Sequence, residues 1–248
     1  MTTFNHACID IGNTNVHIGL FDCLNLVDSI KIPTSGFYNE CWLLENIPKN
    51  LPVVYCSVVP TAKKVLLHKL STTTTPIELN HTNCGIPISY PKPEEIGADR
   101  LANAIAAYDS GTTFSIVVDV GTATTFDIIN EQGYCGGVIA PGPQGYLDFL
   151  NQNTALLPNI SLPKNMLTEN VIGKSTSEAM LLGVKLGYNA MVSGIICSIS
   201  DRIHPKSQPP ALLLVGGASD LLTSPTFQYR PFLTLEGLAI ASSKIGKT

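Results

Sequence analysis

CIDIGNTNVHIGLFD at residues 8–22 and VVDVGTATTFDIIN at residues 117–130 are two versions of one pattern. In each, an apolar run leads to an aspartate, an apolar residue, a glycine, an Asn or Thr, and a second run of strand-forming residues. Each version reads as strand, tight polar turn, strand, which is a β-hairpin. The two aspartates, Asp10 and Asp119, lie 109 residues apart. A pattern recurring at that spacing implies two similar halves, each opening on a hairpin.

Outward from the hairpins the chain alternates strands with helices. Residues 52–59 (PVVYCSVV) predict a buried strand ended by Pro60, and residues 61–70 a helix. Residues 71–75 are a polar break, and residues 80–93, with three prolines, a loop with short strands. Leu101, Ala104, Ile105 and Tyr108 follow the i, i+3, i+4, i+7 spacing of a helix over residues 99–108. After a break at 110–113, strands are expected at 114–118 and 125–129, with a turn marked by Gly133, Gly136 and Gly137. A helix with a polar middle follows Pro141-Gly142. Residues 176–200 predict a long apolar helix, and 211–215 a strand ending in Gly216-Gly217. Both halves fall in the α/β class. They divide as residues 1–111 and 112–248.

Composition removes several classes of function. Of 248 residues, 44% are hydrophobic and only 14% charged, so the chain is not disordered. The net charge of −4, without basic runs, argues against a nucleic-acid binder. Seven cysteines, an odd number with no CxxC, argue against a disulfide framework or a zinc site. The first residues carry no signal-peptide pattern. The most apolar stretch, residues 180–200, is interrupted by Lys185 and Asn189 and predicts a buried helix rather than a membrane span. A reduced, cytoplasmic protein is expected. The low charged fraction points to a surface covered by a partner subunit.

The two turns have the chemistry of phosphate sites. Glycine lets the backbone approach a ligand closely, and successive N–H groups form an anion-binding nest. Asn13, Thr14, Thr122 and Thr124 add side-chain donors, and Asp10 and Asp119 can each hold a cation. One such turn is an ordinary hairpin; two matched copies suggest a nucleotide gripped from both sides. Gly216-Gly217-Ala218 offers a third glycine turn where adenosine could lie against backbone. A Walker A loop is excluded, because Gly173-Lys174-Ser175 would need a glycine at position 168, which is Thr168. No GxGxxG follows a strand.

Between the turns lies Gly97-Ala98-Asp99-Arg100. Asp99 precedes an apolar helix, where aspartate commonly serves as an N-cap. It could equally be a general base that deprotonates a substrate hydroxyl. Arg100 could bind a carboxylate, or form a surface ion pair.

Asp10-Ile11-Gly12-Asn13-Thr14, Glu95-Ile96-Gly97-Ala98-Asp99-Arg100, Asp119-Val120-Gly121-Thr122-Ala123-Thr124-Thr125, the GGVIAPG of residues 136–142, the IGKST of 172–176 and Gly216-Gly217 occur in this order. Together they resemble type III pantothenate kinase, a family of the superfamily that holds acetate and sugar kinases and actin. The resemblance covers nearly the whole chain. It implies two ribonuclease-H-like domains of the actin-like ATPase kind, related by an internal repeat, with a nucleotide cleft between them. It implies phosphoryl transfer from ATP to the 4′-hydroxyl of pantothenate, the first step towards coenzyme A. Asp10, Ile11, Gly12, Asn13, Thr14, Asn15, Val16 and His17 match the first phosphate motif, and Thr122 the ATP-contacting threonine of the second. Asp99 matches the general base. Tyr90, Gly97, Ala98, Asp99, Arg100 and Thr176 match pantothenate-binding positions. Asp119 matches the residue assigned to potassium or ammonium, and Asp10 is the helper expected for Mg²⁺. The family is homodimeric.

The sequence departs from the family after Pro141-Gly142, where Pro143-Gln144-Gly145-Tyr146 and Asp148-Phe149-Leu150 replace the usual pattern, and Asn153 stands where an arginine is expected. Two other functions fit the same fold: a non-catalytic regulatory relative, and another small-molecule kinase or a phosphatase of the superfamily.

Overall fold

The computed structural model describes residues 4–38, 47–48, 50–70, 74–163, 170–203, 209–222 and 224–245. The chain forms two compact units. The first comprises Met1–Thr113, Ile129–Gly136 and Phe232–Thr248, and the second Phe114–Ile128 and Gly137–Pro231.

In the first unit, β1 (His6–Ile11), β2 (Asn15–Asp22), β3 (Asn25–Pro33), β4 (Val53–Ser57) and β5 (Ile77–Glu78) form one sheet in the order β3-β2-β1-β4-β5. β1 and β2 are the expected hairpin, with Asp10 opposite His17. β4 then runs parallel to β1 and places Cys56 beside Asp10. Parallel pairing needs a crossover, and buried parallel strands read as continuous apolar runs, as PVVYCSVV does. One sheet face carries Ala7, Ile9, Ile11, Val53 and Tyr55 and closes over Ala62, Leu66 and Leu70 of α1 (Pro60–Leu70). The side chains alternate, so Cys8, Asp10, Val54 and Cys56 belong to the opposite face. There α2 (Ala98–Asp109) packs on β4, and α5 (Leu233–Ile245) packs on β1, β4 and α2. Thr234 Oγ1 donates to Asn103 Oδ1 at 2.9 Å, and Asn103 is fully buried. The break predicted at 71–75 lies partly outside the described residues.

In the second sheet, β6 (Phe114–Val120), β7 (Ala123–Asn130), β8 (Gly133–Pro141), β9 (Ala211–Val215) and β10 (Phe227–Tyr229) take the order β10-β9-β6-β7-β8. The tip of the β7–β8 hairpin belongs to the first unit. Reversed, this order is β8-β7-β6-β9-β10, strand for strand that of the first sheet. β9 is parallel to β6 and to β10, just as β4 is parallel to β1 and β5. The repeat seen in the two hairpins is therefore a repeat of whole sheets. The helices of this half are α3 (Pro143–Gln152) and α4 (Thr176–Ile203).

Two local expectations change. The β7–β8 turn falls at residues 131–132, and Gly133, Gly136 and Gly137 lie inside β8. The long helix α4 is not a buried core helix. Only 28% of its most apolar stretch is buried, and it is long and apolar enough to cross a membrane by length and composition. Its apolar residues are distributed around the helix, so its sequence alone gave no side to bury.

Candidate active site

The first turn hangs from the end of β1. Asp10 is the one residue of β1 that is only partly buried. Gly12 N–H donates to Asn15 C=O at 3.0 Å and closes the turn. Thr34, buried, takes two of its carbonyls: its Oγ1 donates to Gly12 C=O at 2.7 Å and its N–H to Thr14 C=O at 2.9 Å. Carbonyl oxygens are the groups of a turn that repel a phosphate. Tying two of them back leaves the exposed Asn13 and Thr14 as its outer surface. Thr34 was missed from sequence because nothing in its neighbourhood marks it. Ile11 and Val16 are wholly buried in the core, so only their main chain could meet a ligand. Asn15 and His17 are half-buried. Burial, and then the charge of Lys31, pushes the His17 imidazole down to about 4, so it is neutral at physiological pH.

Asp99 lies one residue inside α2. The N-cap is Gly97, without a side-chain cap, so Asp99 does not serve as one. Its Oδ1 instead accepts the N–H of Arg100 at 2.8 Å. Burial raises the Asp99 carboxyl above the usual range, against the lowering effects of the Arg100 N–H and guanidinium. A carboxylate made more basic by desolvation is suited to accept a proton. Cys56, fully buried, donates from Sγ to Asp10 Oδ1 at 3.3 Å. Its thiol is held well above its ordinary value by burial first, then by the charges of Asp10 and Asp99. Asp10, at the foot of the first turn, is thus held by a buried thiol.

Beside Asp99, Arg100 lies over an aromatic pair. Its guanidinium carbon is 5.9 Å from the centre of the Tyr134 ring, a cation–π arrangement. Tyr90 meets the same ring edge-on at 6.1 Å. Main-chain bonds fix the contact: Tyr134 N–H to Pro87 C=O at 3.0 Å, and Ser89 N–H to Tyr134 C=O at 2.8 Å. Tyr90 and Arg100 thereby meet at one ring, that of Tyr134. Tyr134 was not singled out from sequence; it lies in a different hairpin and joins the group only through tertiary pairing.

In the second unit, three glycine motifs meet. Gly142 N–H donates to Thr122 C=O at 3.1 Å, and Ala218 N–H to Val120 C=O at 3.1 Å. Gly216 has φ +100°, and a Cβ there would sit 2.3 Å from Val120 O and 2.6 Å from Asp119 Oδ1. Asp119 is partly buried and Thr122 exposed. Thr124 departs from expectation. It is fully buried, its Oγ1 lies 2.7 Å from the Tyr188 hydroxyl, and it donates to Pro141 C=O at 3.1 Å. It braces the turn from inside and offers no hydroxyl to a phosphate. Thr176 opens α4 and lines a pocket of about 420 Å³ with Tyr146, Phe149 and Leu150. Those three come from the segment where the sequence departs from the family pattern.

The family model for type III pantothenate kinase matches residues 7–198, a span that holds both turns, Asp99 and Thr176. The chain belongs to the type III pantothenate kinase family. It is 36% identical to the type III pantothenate kinase of Desulfosudis oleivorans, covering 95% of this chain and 97% of that one. Against that of Methylacidiphilum infernorum it is 38% identical, over 87% and 79%. Among solved structures, a Baf family protein of Campylobacter jejuni shares the fold with a TM-score of 0.65 at 20% identity, over 98% and 100% of the chains. MreB 5 of Spiroplasma citri shares it with 0.53 at 11%, over 99% and 98%. These distant likenesses show a shared fold.

A kinase of this family that relies on Asp99 should be sensitive to its neighbour. A Cβ at Gly97 would lie 2.6 Å from Asp99 Oδ1. Gly97→Ala is expected to swing the carboxylate aside while leaving α2 intact. We expect kcat to fall about tenfold or more with a change in stability below about 1 kcal/mol. Steady-state kinetics beside thermal denaturation checks this; a loss of activity that follows loss of fold would contradict it.

Proposed function

We propose that the protein phosphorylates the 4′-hydroxyl of pantothenate with ATP and that Asp99 is the general base. The observation that carries this reading is the Asp99 carboxyl itself. It is desolvated and raised in pKa, its Oδ1 accepts the Arg100 N–H, and the Arg100 guanidinium lies over the Tyr134 ring that Tyr90 also meets. Phosphoryl transfer needs little covalent chemistry from the protein beyond orienting the acceptor, taking its proton and stabilising charge. Residues 10–17 and Thr122 serve the phosphates of ATP. Arg100 and Tyr90 receive pantothenate, whose carboxylate suits a guanidinium, with Thr176 as a further contact.

Among the described residues no group of three or more His, Cys, Asp or Glu could hold a metal ion. Mg²⁺ is expected to arrive with ATP, held by phosphates and one carboxylate, a role we assign to Asp10. Asp119 is assigned a potassium or ammonium ion. The exposed face of α4, with Leu186 47% and Ile203 54% exposed, is assigned to a second copy of the chain. We place the enzyme in the cytoplasm.

The test is ADP release from MgATP, with and without pantothenate, in potassium and then in sodium buffer. Pantothenate-dependent release that falls in sodium is expected. Equal release in both buffers removes the cation role of Asp119. ATP binding without any turnover, from folded protein in potassium or ammonium, would favour a non-catalytic relative.

A further inference from the structure

We propose that Cys56 is a positioning residue: its thiol hydrogen-bonds the Asp10 carboxylate and holds it in the orientation that receives the ATP-bound cation. The proposal rests on the assignment of Asp10 to Mg²⁺ made above. Three observations carry it. The Sγ–Oδ1 distance is 3.3 Å, within hydrogen-bond reach for sulfur. The pairing is built into the sheet, since Asp10 and Cys56 are partners in the parallel register of β1 and β4. Cys56 is fully buried, so no water competes for its hydrogen. A carboxylate with one oxygen pinned by a neutral donor keeps the other in a defined direction, and no second charge is brought beside it.

Cys8 provides an internal comparison. It is equally buried, on the same sheet face two residues before Asp10, yet among the described residues its thiol has no hydrogen-bond partner. If Cys56 were there only to fill space, the two cysteines should respond alike to substitution.

The experiment compares Cys56→Ala, Cys56→Ser, Cys8→Ala and Cys8→Ser in the full chain. It measures melting temperature, kcat and KM for MgATP, and the Mg²⁺ concentration giving half-maximal ATP binding by calorimetry. Cys56→Ala is expected to raise that Mg²⁺ concentration and the KM for MgATP about three- to tenfold. Cys56→Ser should stay within about twofold of wild type, because its hydroxyl donates as the thiol does. It should do so even if it melts below Cys56→Ala. Both Cys8 variants should move the melting temperature alone. The proposal is overturned if the Cys56 Ala and Ser variants lose Mg²⁺ dependence together, in step with stability, or if neither changes it. Should the Cys56 variants fail to fold, the infrared S–H stretch of the wild type decides: it should shift on Asp10→Ala, and an unmoved band overturns the contact. Calorimetry needs no pantothenate, so absent turnover with intact MgATP binding refutes the kinase reading alone. Wild-type protein that binds no MgATP refutes both.

Discussion

Asp99→Asn is expected to lower turnover by about 100- to 10,000-fold, the range over which a positioned general base contributes. The variant should also be more stable at neutral pH. Burial raises the folded-state pKa of Asp99 above its unfolded value, so folding disfavours the ionised form. That penalty is absent below the unfolded pKa and complete above the folded one. Asparagine never ionises, so it removes the penalty wherever the wild type carries it. Activity loss with a raised melting temperature is thus the signature of the base, and a denaturation series from acid to neutral pH beside single-turnover kinetics reads both. The wild-type rate should likewise fall as pH drops through the raised pKa, with an acid limb displaced above that of an ordinary carboxyl. Wild-type turnover in the asparagine variant would sink the assignment.

Gly216→Ala should have the largest effect in the second unit. The residue sits at φ +100°, which L side chains rarely adopt, and its Cβ would press on Val120 backbone as well as on Asp119 Oδ1. Backbone strain of this kind costs on the order of 1–3 kcal/mol, and overlap with main-chain atoms adds to it. The bond from Ala218 N–H to Val120 C=O must then lengthen. We expect a melting temperature lower by several degrees and, in whatever fraction folds, a higher potassium requirement, because the Asp119 carboxylate is pushed aside. Unchanged stability and unchanged potassium dependence would show that the three glycine turns are not packed as described.

The contrast between these residues and those the sequence did not reveal has a physical origin. Gly12, Asp99 and Gly216 stand in short stretches where strand, turn and helix signals are local, and a hairpin or a helix start is written in adjacent residues. Thr34 carries no such signal, although it holds two carbonyls of the first turn. Thr124 reads as a phosphate donor because it stands in the same turn pattern as Thr122. Its orientation was decided by Tyr188, 64 residues away on α4. Burial of α4 was also misjudged. Its apolar residues have no preferred side, so only packing shows which of them are covered.

The sequence by itself determined the two hairpins, their repetition, the helix that carries Asp99 and the family, because periodicity, glycine and turn chemistry act over a few neighbouring residues. The tertiary structure alone decided that Cys56 meets Asp10 from 46 positions away and that Tyr134 lies under Arg100. Those contacts depend on strand register and crossover packing, which arise from the summed burial of both sheets rather than from any one stretch of chain.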